Sequence, residues 1–86
     1  MNIKTTYSEQ ELVALLQERN EKAFGYLYDN YSGAVFGIIN SIVTDKDIAN
    51  DVLQNVFVNI WKKIESYDAS KGRLFTWMLN IARNAS

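Results

Sequence analysis

The spacing of apolar residues in the first half of the chain leaves little freedom of fold. Phe24, Leu27, Tyr28, Tyr31, Val35, Ile38, Ile39 and Ile42 recur at steps of three and four. Such steps gather one apolar stripe on a helix, whereas on a strand they would fall on both faces. The 86 residues contain no proline, so no helix need be broken by one. No useful length alternates with period two. The chain is therefore predicted to be all-α: one domain over residues 1–86, built as a small four-helix bundle.

Local signals set the helix limits. Residues 1–7 are expected to be a frayed start. Ser8-Glu9-Gln10-Glu11 is a capping box, opening a first helix to about Arg19 that buries Leu12, Leu15 and Leu16. Asn20 is a good N-cap for the second helix, with Glu21 in its favourable first turn. Gly33 and Gly37 lie one turn apart. Either they let another helix approach closely, or the helix merely tolerates them. Thr44 or Asp45 can cap the third helix, expected over about Lys46 to Glu65 with Ile48, Val52, Leu53, Val56, Phe57, Ile60 and Ile64 inward. Ser66, Asp68, Ser70 and Gly72 mark a loop over 66–72. A fourth helix should start near Arg73, burying Leu74, Met78, Ile81, Ala82 and Ala85. Its pattern still runs at Ser86 with no glycine or proline stop, so the chain is expected to continue beyond it.

Composition narrows the chemistry. There is no cysteine and no histidine, which removes disulfides, thiolate metal sites and the commonest general base. No phosphate-cradling glycine loop or G-x-S-x-G elbow is present. The acids are spaced for capping and solvated faces. The chain thus reads as a non-enzyme with no catalytic residue, metal site or cofactor. Residues 1–6 are polar and unlike a secretory signal. The most apolar run, 33–43, is far shorter than the ~20 residues of a membrane span. No membrane role is expected, and a cytoplasmic location is.

Charge is uneven. Residues 1–61 carry a net −4 and residues 62–86 a net +3, with no acid after Asp68. Such asymmetry points weakly to a polyanion at one end. The fourth helix has an outer stripe of Arg73, Thr76, Asn80, Arg83 and Asn84, with Trp77 at its edge and no carboxylate nearby. Arginines and amides bond phosphates and base edges, and aromatic rings stack on unpaired bases. Each residue also has a plainer account: Trp77 as a boundary residue, the amides as solvated, Tyr67 as loop packing. On the outer arc of the third helix, Val58 stands among Asp51, Gln54, Asn55 and Lys62, which suits a partner surface or one ordinary exposed valine. Composition leaves nucleic-acid binding and a helical protein-interaction module without nucleic-acid binding equally open.

A resemblance separates them. Residues 51–61 (DVLQNVFVNIW), 67–72 (YDASKG) and 75–84 (FTWMLNIARN), with Lys22-Ala23-Phe24 and Leu27-Tyr28 upstream, resemble region 2 of bacterial sigma-70 family factors. The likeness is greatest to the extracytoplasmic function (ECF) group. It implies a helical bundle that binds RNA polymerase core and recognises and melts the promoter minus-ten element through the non-template strand. Asp51, Gln54, Asn55 and Val58 would dock on the clamp helices of the beta-prime subunit. The loop from Tyr67 to Arg73 would take a flipped base of the single-stranded DNA. Trp77 would stand on a separate face where duplex is forced open, with Asn80 and Asn84 on exposed bases. Lys62, Lys63, Lys71, Arg73 and Arg83 would follow the phosphates, and Thr76 completes the DNA-facing stripe. The resemblance also implies an anti-sigma factor as a further partner. The family commonly has glutamate at Asn55, its loop is variable, and its C-terminal helix-turn-helix module is absent from this chain.

Overall fold

Ser8 begins the first helix as its capping box requires. Its hydroxyl accepts from the Glu11 amide at 3.2 Å, and the Glu11 carboxylate accepts from the Ser8 amide at 3.0 Å. The computed structural model describes residues 7–85. The expectations for residues 1–6, and for a helix continuing through Ser86, lie outside that range. Tyr7 does not fit a frayed start: its ring packs edge-on against Tyr26, centroids 4.9 Å apart.

Four helices follow in order: α1 (Glu9–Gln17), α2 (Glu21–Ile42), α3 (Lys46–Lys63) and α4 (Leu74–Ala85). No strand occurs among the described residues. Asn20 caps α2 by accepting from the Ala23 amide at 3.0 Å. Of the two candidates for α3, Asp45 is the cap, accepting from Asp47 and Ile48 amides at 2.9 and 3.1 Å. Between α1 and α2 the chain turns at Arg19, whose φ of 63° is unusual for a residue with a Cβ. The last turn of α3 tightens into a 3-10 turn at Ile64–Ser66, and a second such turn covers Ala69–Lys71.

The core is one cluster drawn from every helix. Leu12 and Leu16 come from α1, Leu27, Val35 and Ile39 from α2, Leu53, Val56, Phe57 and Ile60 from α3, and Leu74 and Met78 from α4. Each such side chain, fully buried, contributes about 1.5–3 kcal/mol. An aromatic rim borders the cluster: Phe24 against Trp61 at 4.9 Å, Tyr28 against Phe57 at 4.8 Å and Tyr31 against Phe75 at 5.5 Å between centroids.

Four expected core positions are corrected, and the alternative at the two glycines is resolved. Ile48 is 55% exposed, because the α3 stripe is phased by Ala49, Leu53, Val56 and Phe57, and Ala49 takes the inward place. Ile42 ends α2 beyond its last buried residue, Ile39, and is 52% exposed. Ala85 is exposed at the end of α4, and Leu15 is only half-buried. Gly33 and Gly37 admit no close helix: both are exposed, with open space where a Cβ would stand.

Candidate nucleic-acid interface

The loop between α3 and α4 is built from local hydrogen bonds. Asp68 Oδ1 accepts from the Ser70 amide at 2.9 Å and from the Ser70 hydroxyl at 2.7 Å. Those two bonds, the side-chain one first, hold the Asp68 carboxyl below the usual carboxylate range. The Lys71 amide donates to the Asp68 carbonyl at 3.0 Å. Gly72 has φ 156° and ψ 172°, a conformation left almost entirely to glycine. The turn it makes brings its carbonyl to the Tyr67 hydroxyl, which donates to it at 2.6 Å. Burial, and then the Glu9 charge, push the Tyr67 phenol up, so it stays protonated and remains a donor.

Folding the loop this way leaves a recess of about 270 Å³ between it and the first turns of α4. Clefts for drug-sized ligands start near ~300 Å³, so this one suits a single planar ring. The Tyr67 and Trp77 rings stand 5.3 Å apart in its wall, tilted by 55°. Lys71, Arg73, Thr76 and Asn80 line it as well. Six of the ten residues expected to face DNA thus meet around one recess.

The loop pocket and the Trp77 face, expected to be separate, are thus one continuous surface, since Trp77, Thr76 and Asn80 share the recess with the loop. Burial decides between the two accounts open for Tyr67: at 6% exposed it packs in the core and forms part of the wall. The remaining four stand elsewhere. Lys63 and Asn84 border a narrow groove between α3 and the end of α4, and Lys62 lies beside it with Asn55 and Ala85. Arg83 is exposed and lines neither the recess nor these grooves.

A carboxylate also stands nearer than the sequence suggested. Glu9, at the start of α1, accepts from the Leu74 amide at 3.3 Å and so caps α4. Its other oxygen lies 3.6 Å from Arg73. The Arg73 side chain is 83% exposed, so this ion pair is weak and leaves the guanidinium free to turn toward a phosphate. Gln17 donates to the carbonyls of Ile64 and Tyr67 at 3.2 and 3.1 Å. The Arg19 guanidinium donates to the Trp61 carbonyl and to Glu65, and lies 5.4 Å from the centre of the Trp61 ring. No motif marks these three residues, whose partners lie 42 to 65 positions away.

On α3, Asp51, Gln54, Asn55 and Val58 are exposed on one side, as their spacing requires. Gln54 donates to the Tyr28 hydroxyl at 3.0 Å. Val58, 49% exposed, is one wall of an open groove of about 440 Å³ that Phe24 and Trp61 complete, with Glu21 and Lys62 at its rim. Phe24 and Trp61 were not expected there. A tryptophan at the boundary of the α3 stripe was the available signal.

Fold and recess together define a small all-helical domain with one recess between its last loop and last helix. The profile described as Sigma-70 region 2 matches residues 27–86. The chain belongs to the sigma-70 family, as the region 2 domain of an ECF factor. Among curated relatives, the "ECF RNA polymerase sigma factor SigK" of Mycolicibacterium vanbaalenii is 32% identical over 75 residues, covering 84% of this chain and 38% of its own. That of Mycobacterium ulcerans is 31% identical, covering 84% of this chain and 40% of its own. That of Mycobacterium tuberculosis H37Ra is 25% identical over the same shares. The chain thus spans about two-fifths of the length of these relatives. No solved structure matches it significantly.

Proposed function

We propose that this domain brings RNA polymerase core to a promoter and holds the non-template strand of the minus-ten element once it is melted. Membership of the sigma-70 region 2 family supports the role in initiation. The observation that carries the strand-binding half is the recess, with two aromatic rings in its wall and lysine, arginine, threonine and amide groups around them. A base that has lost its neighbours gains about 1–3 kcal/mol by stacking on such rings. Asn80 and Thr76 offer donors and acceptors to its edge. Lys71 and Arg73, with Lys62, Lys63 and Arg83 further along, neutralise phosphates and release counterions. The α3 face of Asp51, Gln54, Asn55 and Val58 is the docking surface for the beta-prime clamp helices. With Asn55 uncharged, apolar contact at Val58 carries more of that binding. An anti-sigma factor is a further partner, and the site of action is the cytoplasm.

The test is binding of single-stranded against double-stranded promoter oligonucleotides, with polymerase core present, across a salt series. The reading expects single strands to bind more tightly, and affinity to fall as salt rises. Equal and salt-independent binding, or none, would leave the domain as a protein-interaction module.

A further inference from the structure

Residues 64–73 have only two short 3-10 turns of regular structure, yet they supply most of the recess wall. Their own hydrogen bonds shape the loop, and Ile64 and Tyr67 root it in the core. Its side-chain hydrogen bonds to the bundle come from α1. Glu9, Val13 and Gln17 repeat every four residues along one side of α1, and Ala69 of the loop closes the shallow cleft they line. At one end of the row, Gln17 donates to the carbonyls of Ile64 and Tyr67, at 3.2 and 3.1 Å. At the other end, Glu9 accepts from the Leu74 amide at 3.3 Å, where α4 begins. The amide that starts α4 has no partner within its own helix, whereas the Ile64 carbonyl also accepts from the Tyr67 amide at 3.1 Å. One straight helix satisfies both sides of the loop and thereby sets their separation, about 12 Å along its axis at 1.5 Å per residue.

Neither Glu9 nor Gln17 lines the recess. We infer that Gln17 and Glu9 are positioning residues for the recess: by holding residues 64–74 at both ends, they fix Tyr67 behind Trp77, the ring against which a base stacks. This rests on reading the recess as a nucleobase site, and α1 becomes the element through which that site can be loosened without touching it.

Gln17→Met keeps the length of the side chain and removes both donors. Glu18→Met, an exposed position at the end of the same helix and outside that cleft, is the control. Two measurements decide. The first is amide hydrogen exchange on the chain itself. Gln17→Met is expected to speed exchange at residues 64–73 about tenfold while α2 and α3 keep their protection. The second uses the chain on polymerase core with single-stranded oligonucleotides carrying an abasic site at each position in turn. The native chain is expected to lose about tenfold in affinity at the position whose base enters the recess. Gln17→Met is expected to lose less than about threefold there, because a loosened pair gains less from stacking. Glu18→Met should behave as the native chain in both. Unchanged loop exchange in Gln17→Met overturns the inference. So does faster exchange throughout the bundle with a uniform loss at every position, which would make Gln17 a stability residue only. If the native chain has no abasic-sensitive position, the nucleobase reading of the recess fails, and loop exchange still decides whether α1 fixes the loop.

Discussion

Tyr67 does two jobs with one side chain. Its ring fills the end of the core beside Trp77, and its hydroxyl closes the loop on the Gly72 carbonyl. Tyr67→Phe keeps the ring and removes the bond. A neutral hydrogen bond is worth about 1 kcal/mol, which in a domain of this size lowers Tm by about 4–8 °C. Thermal unfolding followed by circular dichroism measures that fall, and an unchanged Tm would show that the bond carries no net stability. The sequence left Tyr67 open between a base contact and loop packing. The choice turned on burial, which depends on where α1 and α4 close over the loop. Gly72 was legible as a turn residue, but not the carbonyl it presents, because that follows from a backbone conformation and not from residue type.

At the scale of elements, what could be read locally was read well. The capping box at Ser8, the caps at Asn20 and Asp45, and the stripes of α2 and α4 are all short-range patterns. Ile48 shows the limit. Its place on the apolar arc of α3 was plausible by spacing, but Ala49 is the better fit where α3 meets its neighbours, and small residues rarely announce themselves in a hydrophobic stripe. The outer face of α3 gives a second prediction. Val58→Asp puts a carboxylate into the groove that Phe24 and Trp61 line, and should weaken binding to polymerase core by at least about fivefold, the roughly 1 kcal/mol that marks a contributing interface residue. Because Val58 is half-exposed, the same change should alter stability by no more than about 0.5 kcal/mol. Affinity measured with a labelled core, alongside a denaturant curve, checks both, and unchanged affinity would remove Val58 from the docking surface.

The whole molecule is a slab, 37 by 36 by 17 Å, too thin to hide its working groups far from its core. The same side chains that pack the bundle therefore shape its surfaces: Trp61 walls the groove on α3, and Tyr67 and Trp77 wall the recess on α4. The contacts that fix the loop on the bundle join residues 47 to 65 positions apart, and no periodicity or motif encodes them. Only the folded chain brings the recess into being, and it merges two surfaces that the sequence kept apart. The central claim is that this recess holds an unpaired base against Trp77. Trp77→Ala tests it most directly, with closed-complex binding and open-complex formation measured on the same promoter. A loss of about tenfold or more in open complexes is expected, the worth of one stacked base, with closed-complex binding within about twofold of the native chain. Equal losses in both would contradict it and leave Trp77 a folding residue.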